Sequence, residues 1–146
     1  MSSVLTAAIA TEHYSGTQIA VTFSIVELDC DIVQAMVNCA SVAMLNSTIK
    51  CHFLPVAVCL LQQENPADQS ASVSCVDPTL RQLSNQVTFT QKMRLVFNVD
   101  TAELTYSSMQ ALKHDSMLDL GQMERIMATG LGAARKLHSL ILQSQA

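Results

Sequence analysis

The chain has 146 residues, of which 49% are hydrophobic and only 14% are charged. Soluble domains usually carry about a quarter charged residues, so this chain has unusually little charge with which to cover a surface. The composition disfavours a disordered chain, which needs low hydrophobicity and high net charge. It also disfavours a collagen-like chain and a small disulfide scaffold, which need far more glycine or cysteine. The length suits a single domain, residues 1–146, built around one core.

The basic residues are few, and they are scattered singly along a chain whose net charge is −4. A protein that binds nucleic acid by itself normally shows a clustered Lys/Arg face. The charge pattern therefore argues against autonomous RNA or DNA binding, although a place within a larger nucleic-acid machine stays open. The eight basic residues are Lys50, Arg81, Lys92, Arg94, Lys113, Arg125, Arg135 and Lys136.

None of the five cysteines is paired with another at the CxxC spacing of a zinc or redox motif. Cys39 and Cys59 lie within apolar runs, where a reduced cysteine behaves as a small core residue. The first ten residues lack the basic opening and hydrophobic run of a signal peptide. No stretch of about 20 apolar residues could cross a bilayer. We therefore expect buried thiols in a soluble, intracellular protein, with no membrane partner.

The first half of the chain predicts a strand followed by a helix. Residues 17–28 alternate between apolar and small polar side chains, which is typical of a strand with one buried face. Residues 32–45 place apolar side chains at helical spacing, and either Asp29 or Asp31 could cap the start of that helix. This helix contains no charged residue, so we expect it to be buried on nearly every side.

The second half predicts four strands and a long helix. Pro55 interrupts the first of these strands or marks an exposed edge, and a polar turn follows it at residues 62–70. A tight turn at residues 100–103 joins the last two strands. The four strands are predicted at residues 50–61, 71–76, 87–99 and 104–109.

The last helix is predicted over residues 120–143, where Asp119 and Gln122 have the spacing of a capping box. Gly130 and Gly132 weaken its helical propensity by up to about 1 kcal/mol each, so we expect close packing to hold it. The order strand, helix, strands, helix predicts an α+β fold with helices against one face of a mixed sheet.

No catalytic constellation is visible from residue spacing. The sequence lacks HxH, HExxH, GxSxG and glycine-rich phosphate motifs. The methionines at positions 93, 109, 117, 123 and 127 have apolar neighbours, which favours core or interface packing over a metal site. Asp29 and Asp31 are most simply explained as helix-capping residues near a favourable dipole. We expect no cofactor and no metal site.

Two segments carry a resemblance to a known family. Asp29, leading into VQAMVNCASVAML, resembles the central helix of RNase PH-like domains. VDPTLRQL, at residues 76–83, resembles the DPT signature of non-catalytic RNase PH-like subunits of the eukaryotic RNA exosome ring. The resemblance extends over roughly residues 5–143. It implies an RNase PH-like fold (ribosomal protein S5 domain 2-like), N-terminally shortened to about the last two thirds of the usual domain.

The resemblance assigns the phosphate-binding turn to three positions of this chain. Active members use Gly-Thr-Arg, since glycine lets the backbone approach an oxyanion and arginine binds it through two parallel hydrogen bonds. The matching positions here are Asp31, Ile32 and Val33. Two like charges about 4 Å apart repel by about 4 kcal/mol at an effective dielectric near 20. Asp31 is therefore expected to oppose phosphate binding.

The resemblance also assigns a pair of acidic positions that serve metal binding and proton transfer in active members. The first is Asp77, but the second is Leu83, and Arg81 and Gln82 lie between them. Leucine can neither bind a hard cation through oxygen nor transfer a proton. Asp77 before Pro78 is then better explained as a turn residue. We expect no catalytic residue, and the degenerate positions are Asp31, Ile32, Val33, Asp77 and Leu83.

The resemblance implies a structural, non-catalytic subunit of the exosome core ring, which supports 3′-to-5′ RNA processing and degradation. Its implied partners are other RNase PH-like subunits and S1/KH-type cap subunits, with RNA met only through the assembled ring. It also implies a location in the nucleus, including the nucleolus, and the cytoplasm. An active phosphate-dependent 3′-to-5′ exoribonuclease and an unrelated small α+β interaction module remain as alternatives. An uncovered sheet edge would make the chain poorly behaved alone.

Overall fold

We describe a computed structural model that covers residues 1–27, 29, 31–64, 72–84, 89–112 and 119–144, without the side chains of 64, 72–74, 83 and 84. No helix in these ranges is long and apolar enough to cross a membrane. A short 3-10 turn, Thr11–Tyr14, follows the first helix. The helices are α1 (Ser2–Ala8), α2 (Ile32–Leu45), α3 (Leu80–Ser84) and α4 (Leu120–Gln143), and the strands are β1 (Pro55–Glu64), β2 (Ser72–Val76), β3 (Phe89–Asn98) and β4 (Glu103–Ala111).

The four strands form one sheet in the order β2-β1-β3-β4, and all three pairings are antiparallel. The predicted α+β class is confirmed, as are all four strands of the second half. The predicted mixed sheet is wrong, because every strand pairing among the described residues is antiparallel. β1 starts at Pro55, where a missing backbone N–H costs the ladder nothing. It continues to Glu64, through the start of the predicted polar turn, whose residues 65–70 lie outside the described ranges.

The prediction of helices on one face of the sheet is wrong, because helices cover both faces. α4 packs on the face that carries Val58, Leu95 and Phe97. α1 and α2 pack on the opposite face, where Ala57 and Val96 lie. Successive residues of β1 and β3 are apolar on both sides, so each face of the central strands needs a cover.

Side chains complete the outer edge of β1 at the residues that β2 does not reach. Ser41 Oγ donates to the carbonyl oxygen of Pro55 at 2.5 Å. The Asn38 amide donates to the carbonyl oxygen of Ala57 at 2.9 Å and accepts from its N–H at 2.8 Å. These bonds replace a neighbouring strand, since a buried backbone group without a partner is costly. They also explain why uncharged polar residues interrupt the apolar pattern of α2.

α2 occupies the predicted residues, but the prediction that it is buried on nearly every side is wrong. Val37, Ala40, Ser41 and Met44 are buried, whereas the opposite stripe is exposed. Cys39 lies on this stripe, so its predicted burial is also wrong, while Cys59 is fully buried in β1. The sheet covers only one side of α2, and nothing in the described chain covers the other. The exposed stripe consists of Ala35, Cys39 and Ala43.

Residues 17–27 do not form a strand, so that prediction is wrong over the described residues. Ile19 and Phe23 pack partly against the core formed by α1 and α2. No strand of the described chain pairs with this segment. A period-two pattern specifies an extended conformation, but a strand also requires a partner.

α4 confirms the predicted helix together with its capping box, in which both the Asp119 and the Gln122 hydrogen bonds are present. Met123 and Met127 pack against the core that contains Met93, as predicted for these methionines, while Met109 is 54% exposed. Met117 lies outside the described residues.

The predicted close packing of α4 is present at one of its interior glycines. A Cβ at Gly130 would lie 2.7 Å from Leu95 Cδ1 and 3.3 Å from Leu60 Cδ1, whereas one at Gly132 would meet nothing within 4 Å. Gly130 therefore lets α4 approach the sheet closely. Gly132 has no such role.

We predict that Gly130→Val destabilises the fold by about 1–3 kcal/mol, because its methyl groups overpack a filled core. The matched change Gly132→Val should leave the stability within about 0.5 kcal/mol of wild type, since that position is open. Urea unfolding followed by circular dichroism measures both. Equal effects of the two changes would contradict the assigned role of Gly130.

Candidate functional site

Asp31 lies at the N-terminus of α2, and its side chain is only 1% exposed. Its Oδ1 accepts a hydrogen bond from the backbone N–H of Gln34 at 3.0 Å, which caps the helix. Its Oδ2 lies 2.9 Å from Lys92 Nζ and 2.5 Å from Arg94 Nε. The carboxylate thus binds the helix terminus and two cations at the same time.

Lys92 and Arg94 were not singled out from the sequence as site residues. Both lie on β3, two residues apart, so their side chains project from the same face of the sheet. Their side chains are 14% and 28% exposed. Their spacing could have identified them, because two cations two residues apart in an apolar strand lie on the same face and can contact the same acidic group. Their convergence on Asp31 corrects the impression that the basic residues act singly.

Asp77, the other acidic site position, joins the same region through Gln34. Its Oδ1 accepts from Gln34 Nε2 at 2.6 Å and from the backbone N–H of Cys59 at 3.2 Å. Its own N–H donates to the carbonyl oxygen of Cys59 at 2.8 Å. Asp77 has a φ of 49°, a left-handed conformation that Asp tolerates better than most residues. Its predicted role as a turn residue is confirmed, and it also extends the hydrogen bonding of β1.

The remaining predicted positions contribute no functional group to this arrangement. Ile32 and Val33 are half-buried in the first turn of α2. Leu83 belongs to α3, and its side chain lies outside the described part of the chain. Asp29 accepts from the backbone N–H of Leu80 at 2.6 Å, at the start of α3. The two capping candidates are therefore divided: Asp31 caps α2, and Asp29 binds the first turn of α3.

The environment of Asp31 favours its charged form. Burial raises the pKa of the Asp31 carboxyl, but the hydrogen bonds from Gln34, Lys92 and Arg94 outweigh burial and leave the pKa below its ordinary value. The carboxylate is thus ionised at neutral pH, and it balances two cations beside the positive end of the helix dipole.

The chemistry open to these residues is limited by the bonds they already make. Three donors that could bind an oxyanion at this helix terminus, the Gln34 N–H, Lys92 and Arg94, contact Asp31 instead. Within the described residues, no group of three His, Cys, Asp or Glu side chains could hold a metal ion. These contacts form an anion-binding site that the carboxylate of Asp31 itself occupies.

Comparison with known proteins identifies the fold. No family model matches the chain, and no curated protein matches its sequence. The crystal structure of rice (Oryza sativa) Rrp46 is similar, with a TM-score of 0.63 and 15% sequence identity. The match covers 82% of this chain and 50% of the rice chain, so this chain spans about half the length of that protein. The similarity confirms the predicted RNase PH-like fold.

We predict that Asp31→Asn lowers the free energy of unfolding by about 2–4 kcal/mol at pH 7. Asparagine can still cap the helix, but it leaves Lys92 and Arg94 without their counter-charge. Breaking a fully buried pair costs about 3–5 kcal/mol, and the partial exposure of both cations reduces this. The difference from wild type should disappear at low pH. It is complete above the unfolded pKa of about 3.9 and is lost as pH falls through the lower folded pKa.

The control for this prediction is Asp100→Asn, which removes an exposed carboxylate from a turn. It should change the stability by less than about 0.5 kcal/mol at any pH. Urea titrations of the three proteins between pH 2 and pH 7 make the comparison. A constant difference between wild type and Asp31→Asn across that range would show that the charge of Asp31 is not what stabilises the fold.

Proposed function

We propose that this chain is a non-catalytic RNase PH-like subunit of an RNA exosome core ring. It would support 3′-to-5′ processing and degradation of RNA, including ribosomal RNA, by assembling with other RNase PH-like subunits. The single observation that carries the proposal is the Asp31 carboxylate, which holds both cations and the helix terminus where an active member would bind phosphate.

Phosphate would have to displace a carboxylate that is attached to the chain and nearly fully buried. The displaced Asp31 would remain close by and would repel phosphate by about 4 kcal/mol at 4 Å. Neither Ile32 nor Val33 offers a donor from its side chain to replace the missing arginine. Phosphate-dependent cleavage therefore lacks its attacking group at this site.

The acidic position Asp77 is likewise occupied by hydrogen bonds within the fold. Asp77 Oδ1 is bound to Gln34 and to the backbone N–H of Cys59. The second acidic position is Leu83, a hydrocarbon that cannot bind a metal through oxygen or carry a proton. These features favour the structural role over the exoribonuclease alternative.

The surface of α2 supports assembly with other chains. Its exposed stripe, Ala35, Cys39 and Ala43, has no charge and no large polar group. The cores of protein interfaces are depleted in charged residues in the same way. We assign the stripe to contacts with RNase PH-like or S1/KH-type cap subunits, with RNA met through the ring. The location that follows is the nucleus, including the nucleolus, and the cytoplasm.

Quantitative mass spectrometry after affinity purification tests the assembly. The tagged wild-type chain should recover other RNase PH-like exosome subunits. Cys39→Glu should reduce their recovery about tenfold, which corresponds to about 1.4 kcal/mol of lost affinity. The matched variant Ala128→Glu, at a small exposed position on α4, should recover them as the wild type does.

Two results would overturn the proposal. Purification of the wild-type chain without any RNase PH-like partner would exclude the ring role. Phosphate-dependent release of nucleoside diphosphates from poly(A) by the purified chain, lost in Asp77→Asn, would establish the exoribonuclease instead.

A further inference from the structure

The solvent-facing side of α4 carries a large share of the chain's few positive charges. Arg125, Arg135 and Lys136 are three of the eight basic residues, and α4 contains one acidic residue, Glu124. All three basic residues are exposed. Within the described part of the chain, none of their side chains takes part in an ion pair or a hydrogen bond. The helix therefore presents three positive charges that the described residues do not neutralise.

The three cations lie at the two ends of one face of the helix. Arg125 and Lys136 are eleven residues apart, which is close to three full turns, so they lie almost on one line about 16 Å apart along the axis. Arg135 flanks Lys136, and small residues occupy the surface between the two ends. We call this surface the basic face, and it consists of Arg125, Ala128, Thr129, Gly132, Arg135 and Lys136, which are all exposed.

The centre of the basic face is flat and uncharged. Thr129 Oγ1 donates to the carbonyl oxygen of Arg125 at 2.8 Å, so its hydroxyl is satisfied within the helix. A Cβ at Gly132 would meet nothing within 4 Å, so this part of the face is open. An uncharged centre between charged ends matches the anatomy of a protein interface, whose core is depleted in charge and whose rim is polar.

A protein helix fits the basic face better than a nucleic-acid backbone does. Proteins that bind single strands follow the backbone with a positively charged groove and stack the bases on aromatic side chains. The basic face has cations only at its ends and contains no aromatic residue. On a second helix, two carboxylates eleven residues apart lie on one side, at the same spacing as Arg125 and Lys136. Small residues between them let two helices approach to about 8 Å.

We propose that the basic face of α4 binds an acidic helix of another protein, through carboxylates at both ends of the contact and small residues between them. The partner is not a second copy, because α1, α2 and α3 contain no acidic residue and α4 contains only Glu124. α4 packs on the opposite face of the sheet from α1 and α2. The basic face is thus separate from the exposed stripe of α2, and the inference is independent of the ring role.

NMR titration of the isotope-labelled full chain with two synthetic peptides tests the proposal. Both are alanine-rich helices of about 20 residues, long enough to form in water. The first carries two glutamates eleven residues apart, on one side of the helix, and the second carries them nine residues apart, on opposite sides. The first peptide should bind about fivefold more tightly, because only its two carboxylates can reach both ends of the basic face. The shifted amides should be those of residues 125–136.

Three variants locate the contact. Lys136→Glu should weaken binding of the first peptide about tenfold, because a repulsion replaces an attraction. Lys50→Glu makes the same change at an exposed position outside the helices, and it should leave the affinity within about twofold of wild type. Gly132→Val should also weaken binding, since its methyl groups hold the two helices apart. The open space at Gly132 means that the fold should persist.

Three outcomes would overturn the proposal. Equal affinities of the two peptides would show that the face attracts charge without recognising the spacing on a helix. An effect of Lys50→Glu equal to that of Lys136→Glu would show that net charge alone drives the binding. A single-stranded oligoadenylate that binds more tightly than the first peptide, and loses its binding in Lys136→Glu, would assign the face to a nucleic-acid backbone.

Discussion

The position of α2 against the sheet depends on the interactions of the Asp31 carboxylate. The carboxylate joins the start of α2 to Lys92 and Arg94 of β3, which follow it by about sixty residues in the chain. Gln34, in the first turn of the helix, extends the same network to Asp77 at the end of β2. One ionised group therefore positions a helix against two strands, and its hydrogen bonds keep it charged despite burial.

The second constraint is the outer edge of β1, which β2 covers only from Leu60 onward. Ser41 and Asn38 of α2 and the turn residue Asp77 satisfy the backbone at Pro55, Ala57 and Cys59 in turn. A helix thereby takes the place of a strand. Asp77 belongs to the same arrangement, because its carboxylate accepts a hydrogen bond from the backbone N–H of Cys59.

The sequence predicted the elements whose determinants are local. The limits of α2 and α4 and the capping box of Asp119 and Gln122 depend on neighbouring residues, and the strands of the sheet depend on runs of apolar residues. The failures concern partners distant in sequence. Within the described residues, the segment 17–27 has the strand pattern but no neighbouring strand, and Cys39 lies on a side of α2 that no element covers. The apolar pattern of β1 and β3 also did not show whether helices cover one face of the sheet or both.

The acidic residues of the site were predictable from the sequence, but its basic residues were not. Resemblance to RNase PH-like domains placed Asp31 and Asp77 in one region, and the structure brings both against Gln34. The electrostatic role of Asp31 was not predictable in the same way. The sequence suggested an acid that repels phosphate, whereas the structure shows an acid already bound by the cations that would attract it. Only the fold places Lys92 and Arg94 beside the helix terminus, because nothing in their local sequence connects them with residue 31.

Phosphate binding measured by isothermal titration calorimetry tests the central claim, that Asp31 occupies an anion site, most directly. Asp31→Ser keeps a hydroxyl cap and removes the charge, so it should bind phosphate up to about three decades more tightly than the wild type. Adding Arg94→Met to that variant should abolish the gain. Equal phosphate binding by wild type and Asp31→Ser, with both proteins folded, would contradict the account.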